Sequence, residues 1–147
     1  MAVQVDPRAI LAQMQAIEAQ ISRLQSFIAE LTQARENVSR SMESIKALSS
    51  SEGPVMVMLD PSMNSMAIVE VRDREKFIVH LGLDVYARLD KEKALEILDE
   101  KEARLSKSIS EATKQLKDLT SLYEQYQAVL QQLSAQQARQ AREARKQ

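Results

Sequence analysis

The 147-residue chain has no cysteine and no tryptophan, only two glycines, and only 3% aromatic residues. The missing thiols exclude disulfides and thiolate metal sites, and they fit a reducing compartment. Scarce glycine leaves few special loops, and scarce aromatics are typical of long helices with aliphatic seams rather than of an enzyme core. The formal net charge of -1 gives no global indication of nucleic acid or of an acidic substrate.

We expect no targeting segment in this sequence. No run approaches the ~18 consecutive apolar residues of a membrane-spanning helix. Residues 1–7 lack the basic and apolar regions of a signal peptide. We therefore expect a cytoplasmic protein without a membrane segment.

Side chains for catalysis or metal binding are equally sparse. His80 is the single histidine, so neither a metal-ligand set nor a catalytic triad can be built around it. The sequence has no phosphate-binding loop, no paired glycine motif and no converging carboxylates. We expect no enzymatic activity, no metal and no cofactor.

Apolar residues recur every seven positions in two long stretches, which predict coiled-coil helices over residues 7–49 and 91–133. Asp6 and Asp90 are expected as N-caps, and Pro7 suits the first helical position. The seams, meaning the a and d positions, consist of Ile10, Met14, Ile17, Ile21, Leu24, Ile28, Leu31, Arg35, Val38, Met42 and Ile45, and of Leu95, Leu98, Glu102, Leu105, Ile109, Ala112, Leu116, Leu119, Tyr123, Tyr126, Leu130 and Leu133.

The two stretches match in length, which favours antiparallel pairing with partner residue numbers that sum to about 140. This pairing would bring the chain termini to one end, the tip, and the intervening segment to the other end. In this register Arg35 and Glu102 fall in adjacent layers. We hypothesise that they form an ion pair that helps to fix the register.

Between the helices, residues 55–89 hold four short runs of β-branched and apolar residues, which predict two β-hairpins. Residues 60–65 supply the first turn, and Gly82 can supply a positive φ for the second. Four short strands bury too little apolar surface to be stable alone, so we expect an oligomer interface here. The expected interface residues are Val57, Leu59, Ile68, Val69, Ile78, Val79 and Val85.

Four methionines cluster in the first predicted hairpin, at positions 56, 58, 63 and 66. Methionine-rich surfaces can bind many partners, but methionine also fills irregular gaps between packed surfaces. We favour gap filling within the expected β interface.

The order helix, two hairpins, helix resembles an alpha-class prefoldin subunit, most of all an archaeal one. The stretch KFIVHLGLDVYARL (residues 76–89), followed by Glu92 and Ala94-Leu95, is similar to the family's third and fourth strands leading into its second helix. Four strands, rather than the two of the beta class, carry most of the specificity. The resemblance covers residues 6 to about 133. This chain departs from the family at Asp84, where a second glycine is frequent, and in its first turn, which is usually glycine-rich.

The resemblance implies a mainly α fold, in which a long antiparallel coiled coil is joined by two hairpins that oligomerise into a β-barrel platform. It implies an ATP-independent chaperone subunit that assembles as two alpha and four beta chains. Such subunits hold unfolded polypeptides at the coiled-coil tips and deliver them to a group II chaperonin.

Apolar residues near the expected tip are candidates for client binding. Val3 and Val5 precede the helix and have no heptad role, so we expect them to be exposed. The seam residues Ile10, Met14, Leu130 and Leu133 can instead close the coil, and the sequence leaves both roles open. The full candidate set is Val3, Val5, Ile10, Leu11, Met14, Val129, Leu130 and Leu133.

Two other functions remain as alternatives. One is a coiled-coil oligomerisation scaffold that binds no client. The other is nucleic-acid association through the basic tail of residues 134–147, which carries Arg139, Arg142, Arg145 and Lys146. Because this tail has no interleaved aromatics, a solvated helix end is the favoured interpretation.

Overall fold

The computed structural model of the protein describes residues 6–145. The elements in chain order are α1 (Pro7–Ser50), β1 (Val55–Met58), β2 (Met66–Val69), β3 (Lys76–Gly82), β4 (Val85–Asp90) and α2 (Lys91–Ala144). The predicted order of helix, two hairpins and helix is confirmed. The chain divides into two compact units. We call residues 6–32 and 107–145 the helical unit, and residues 33–106 the hairpin unit.

Both helices begin at the predicted caps. The backbone N–H of Arg8 donates to the Asp6 carboxylate at 2.9 Å, and the N–H of Lys93 donates to the Asp90 carboxylate at 2.9 Å. Each bond satisfies one of the N–H groups that a helix start leaves without a partner. Asp90 is also the last residue of β4, so the second hairpin leads into α2 without a linker.

The helical unit has a narrow core of seam residues. Ile10, Met14, Ile17 and Ala112 are buried, and the other seam residues of this unit are half-buried. The Tyr123 hydroxyl lies 3.4 Å from the Glu18 carboxylate, which joins the two helix segments close to the predicted antiparallel register. α2 continues about three turns beyond Leu133. Residues 134–145 are exposed there, because they present no apolar stripe to bury, and their strong helix formers continue the helix.

The core of the hairpin unit joins three elements. Val38 and Ile45 of α1, Val79 of β3, and Ala94 and Leu98 of α2 form one buried cluster. Because side chains alternate along a strand, Val79 and the half-buried Phe77, two positions away, turn one face of the second hairpin onto the helices. The helices and the second hairpin therefore share a single core.

The hypothesised ion pair between Arg35 and Glu102 is wrong. Within residues 6–145, charged groups approach within 4.0 Å only between Arg88 and Asp73 and between Lys93 and Glu96. Arg35 and Glu102 are both half-buried. Long charged side chains in such a position keep their ends in water, where an ion pair gains little free energy.

Arg74 ties the hairpins to the end of α1. Its guanidinium donates to the carbonyl of Leu48 at 3.2 Å, to the Ser51 hydroxyl and to the carbonyl of Gly53. The Leu48 carbonyl belongs to the last turn of α1, where helix carbonyls lack intrahelical partners. One side chain from the β2–β3 linker thus holds both the helix end and the linker that leads into β1.

Asp73, one residue earlier, organises the same linker from the other side. Its carboxylate accepts hydrogen bonds from the N–H groups of Glu75 and Lys76 and pairs with the Arg88 guanidinium at 2.8 Å. The Glu75 N–H and the Arg88 side chain lower the pKa of Asp73 below its usual value. The β2–β3 linker is therefore held to α1 by Arg74 and to β4 by Asp73.

Candidate functional site

The first hairpin exposes an apolar face. β1 and β2 are antiparallel, with Met56 opposite Ile68 and Met58 opposite Met66. Directly opposed residues share one face of a sheet, so these four side chains form one patch. All four are more than half exposed, and Ile68 reaches 78%. Contiguous exposed apolar patches of this kind mark interaction surfaces.

The turn of this hairpin is organised by one carboxylate. Asp60 accepts hydrogen bonds from the backbone N–H groups of Ser62, Asn64 and Ser65, at 2.9, 3.3 and 3.1 Å. Partial desolvation raises the pKa of Asp60, but these hydrogen bonds outweigh it and leave that pKa below its usual value. The sequence predicted a turn here without indicating that Asp60 would hold it. Met63 lies in this turn at φ +57°, with an exposed side chain.

The second hairpin has one buried face and one free face. Val79 was expected at the oligomer interface, but it is only 4% exposed and belongs to the core of its own chain. Its neighbour Ile78 points to the opposite face and is 74% exposed. His80 and Tyr86 lie beside it on that face, with ring centroids 4.9 Å apart. Val79 is buried and Ile78 is exposed because successive side chains of a strand point to opposite sides of the sheet.

The turn of the second hairpin is strained and apolar. Gly82 has φ +121°, as expected of a turn glycine, but Leu83 and Asp84 follow at φ +48° and +59°. Two consecutive positive φ values between paired strands are typical of a type I′ turn. Asparagine and aspartate tolerate this conformation, whereas leucine does not. Leu83 is nevertheless 98% exposed, so nothing within the hairpin unit compensates for its strain.

We call the exposed apolar side chains of the two hairpins the hairpin surface. Six of the seven expected interface residues are exposed: Val57, Leu59, Ile68, Val69, Ile78 and Val85. The four methionines of the first hairpin, which sequence analysis placed in the β interface as gap fillers, are exposed members as well: Met56, Met58, Met63 and Met66. Sequence analysis missed Leu81, Leu83 and Tyr86, because the strand runs were apolar on both faces, which hid the side turned away from the helices.

In the helical unit, the structure separates seam residues from flanking residues. Ile10 and Met14 are buried and close the coil, whereas Leu11, in the e position beside the seam, is 50% exposed. Val129 is also exposed. Leu130 and Leu133 are half-buried. Val3 and Val5 lie outside the described residues.

Sequence analysis missed two exposed side chains of the helical unit, Phe27 and Leu122. Both occupy g positions of their heptads, and so does Val129. In an antiparallel pair the g positions of the two helices lie on the same side of the seam. Phe27, Leu122 and Val129 therefore form a dispersed apolar row on one flank, and the heptad assignment could have located it. Leu11, in its e position, lies on the other side of the seam, and we call the row and Leu11 together the flank surface.

The described residues, 6–145, carry neither a candidate membrane span nor a cluster of metal ligands. No helix in that range combines the length and the apolar character needed to cross a bilayer. No group of three or more potential metal ligands occurs there either.

Comparisons with known proteins agree on one family. A sequence profile for the prefoldin subunit matches residues 10–136. The prefoldin subunit alpha of Aeropyrum pernix is 38% identical over 114 residues, covering 78% of this chain and 76% of the relative. The prefoldin subunit alpha of Sulfurisphaera tokodaii is 35% identical over 107 residues, covering 73% and 70%. The fold is similar to that of filamentous PFD from Methanocaldococcus jannaschii, with a TM-score of 0.50, 24% identity, and coverage of 82% of this chain and 94% of that one.

Proposed function

The chain belongs to the prefoldin subunit family, whose members are chaperone subunits rather than enzymes, and from this membership we propose that it is an ATP-independent holdase. In this proposal it assembles with beta-class subunits, as two alpha and four beta chains, through a β-barrel platform formed by the hairpins. It holds unfolded polypeptides on its helical unit and delivers them to a group II chaperonin in the cytoplasm.

The observation that carries the assembly part of the proposal is the exposure of the hairpin surface. Met56, Met58, Met66 and Ile68 form an apolar face that the chain itself leaves uncovered. Burying apolar area gains about 25 cal/mol per Å², so these side chains favour association with other chains. Methionine adapts to irregular neighbours, which suits a barrel shared by non-identical subunits.

The flank surface supports client binding. Leu11, Phe27, Leu122 and Val129 are exposed and separated by polar side chains. Dispersed apolar contacts of this kind suit a holdase, because a surface that binds many unfolded sequences needs adaptability rather than complementarity to one shape. We propose these four residues as the described part of the client-binding site, together with Val3 and Val5 beyond it.

Suppression of aggregation tests the client-binding proposal. The complete hetero-oligomer, without ATP, is added to a denatured protein, and light scattering follows its aggregation. We expect the wild-type assembly to suppress scattering, and the variant L11S/F27S/L122S/V129S to lose most of this effect. A matched control, Q13S/Q25S/Q125S/Q127S, changes four exposed polar residues of the same helix segments and should act like the wild type.

The alternative function is a scaffold that assembles through its hairpins and binds no client. The exposed hairpin surface is compatible with it, because that surface accounts for assembly alone. A well-formed wild-type oligomer that leaves aggregation unchanged would favour the scaffold over the holdase.

A further inference from the structure

A groove of about 680 Å³ lies beside the second hairpin, within the hairpin unit. Its floor is apolar, with Val38 and Ile45 from α1 and Phe77 from β3. The lining also includes polar side chains of α1 and, from β3 and β4, Ile78, His80 and Tyr86. The complete lining thus combines apolar residues with a few hydrogen-bonding side chains, a combination that binding sites share.

The charged residues of this lining are all cationic. Arg40 of α1 and Lys101 of α2 line the groove, and no carboxylate does. Within residues 6–145, neither residue belongs to an ion pair shorter than 4.0 Å. The chain as a whole carries a formal net charge of -1, so this local excess of positive charge does not follow from the composition.

The groove is continuous with the hairpin surface. Ile78 and Tyr86 line it and are also exposed on the free face of the second hairpin. A chain that covers Ile78 and Tyr86 therefore also meets the groove. This continuity favours an assembling partner subunit over a client as the occupant.

We propose that this groove docks an acidic segment of the partner subunit, with an apolar side chain on the Val38–Ile45–Phe77 floor and carboxylates near Arg40 and Lys101. The proposal rests on the proposed function, since it requires assembly through the hairpins. Its physical consequence is electrostatic steering, because charges at the edge of an interface act mainly on the association rate and its salt dependence.

Charge reversal in the groove tests this docking. Association of the full chain with its cognate beta-class subunit is followed by stopped-flow mixing between low and high salt, and the product is sized by sedimentation. We expect R40E/K101E to slow association about tenfold at low salt and to flatten the salt dependence. The control K46E/R104E reverses one exposed cation on each of the same helices, outside the groove, and should stay within about twofold of the wild type.

Each result has one consequence. Equal behaviour of the groove variant and the control, whether both match the wild type or both are slowed, overturns the groove proposal. A wild-type chain that does not associate with the beta-class subunit overturns the assembly function itself. If circular dichroism finds R40E/K101E unfolded, the neutral variant R40Q/K101Q replaces it. An unchanged association rate for this variant also overturns the groove proposal.

Discussion

Replacing Leu83 by asparagine should make the isolated chain more stable and the assembly weaker. Leu83 has φ +48° in the turn of the second hairpin and is 98% exposed. The left-handed conformation costs a residue such as leucine about 1–2 kcal/mol, and asparagine adopts it far more readily. Because the leucine side chain contacts almost nothing within the chain, its loss costs no packing. We expect Leu83→Asn to raise the free energy of unfolding by about 1 kcal/mol.

Assembly should change in the opposite direction. If a partner subunit buries Leu83, removing the side chain forfeits about 1.5–3 kcal/mol at each contact. This corresponds to a dissociation constant about 10- to 150-fold larger. Burial in the assembly would then explain why a leucine occupies a strained, exposed position of the free chain.

Urea unfolding of the chain alone and sedimentation of its mixture with the beta-class subunit measure the two effects separately. The control is Asp84→Asn in the same turn, where a residue that tolerates φ +59° replaces another and both effects should stay within about 0.5 kcal/mol. If Leu83→Asn assembles as well as the wild type, Leu83 does not contribute to the interface. A loss of stability in the isolated chain would refute the strain argument.

Three further predictions concern the hairpin unit. Hydrogen bonds lower the pKa of Asp60 and Asp73 in the folded chain. They therefore stabilise the fold at a pH above about 3.9, the pKa of aspartate in an unfolded chain, and this stabilisation is lost as the pH falls below about 4. D60N/D73N should therefore flatten the dependence of unfolding on pH between about 2 and 5, and an unchanged slope would contradict this. Arg74→Ala should lower the urea stability by about 1–2 kcal/mol through lost hydrogen bonds, with Arg74→Lys intermediate; equal stability of all three chains would exclude this role. Val79→Ala should destabilise the chain by about 1–3 kcal/mol, whereas Ile78→Ala should leave its stability unchanged and weaken assembly; equal losses of stability would refute the division of faces.

Features that depend on neighbouring residues were predictable from the sequence. Asp6 and Asp90 cap their helices because a cap needs only a side chain within three residues of an N–H group without a partner. The seam residues Ile10 and Ile17 are buried where the heptad repeat places them. The candidate site was predictable to the extent that the apolar character of residues 55–89 indicated an exposed interface.

Features that depend on distant residues were not predictable. The sequence did not predict the hydrogen bonds of Arg74 to the carbonyls of Leu48 and Gly53, because both residues lie more than twenty positions away along the chain. The predicted ion pair between Arg35 and Glu102 was wrong. The coiled-coil register places the two residues in adjacent layers, but it does not decide whether their charged ends contact each other or water. Phe27 was overlooked because heptad analysis examines the seam and not its flanks.

By itself, the sequence determined two capped heptad helices, two hairpins between them and the family to which the chain belongs. Only the tertiary structure decided which strand face meets the helices, and so placed Val79 in the core and Ile78 at the surface. It also decided that Leu83 carries an uncompensated left-handed conformation and that Arg40 and Lys101 line one groove. The physical reason is that periodicity and capping act within a few residues, whereas burial and groove charge arise only when distant segments pack together.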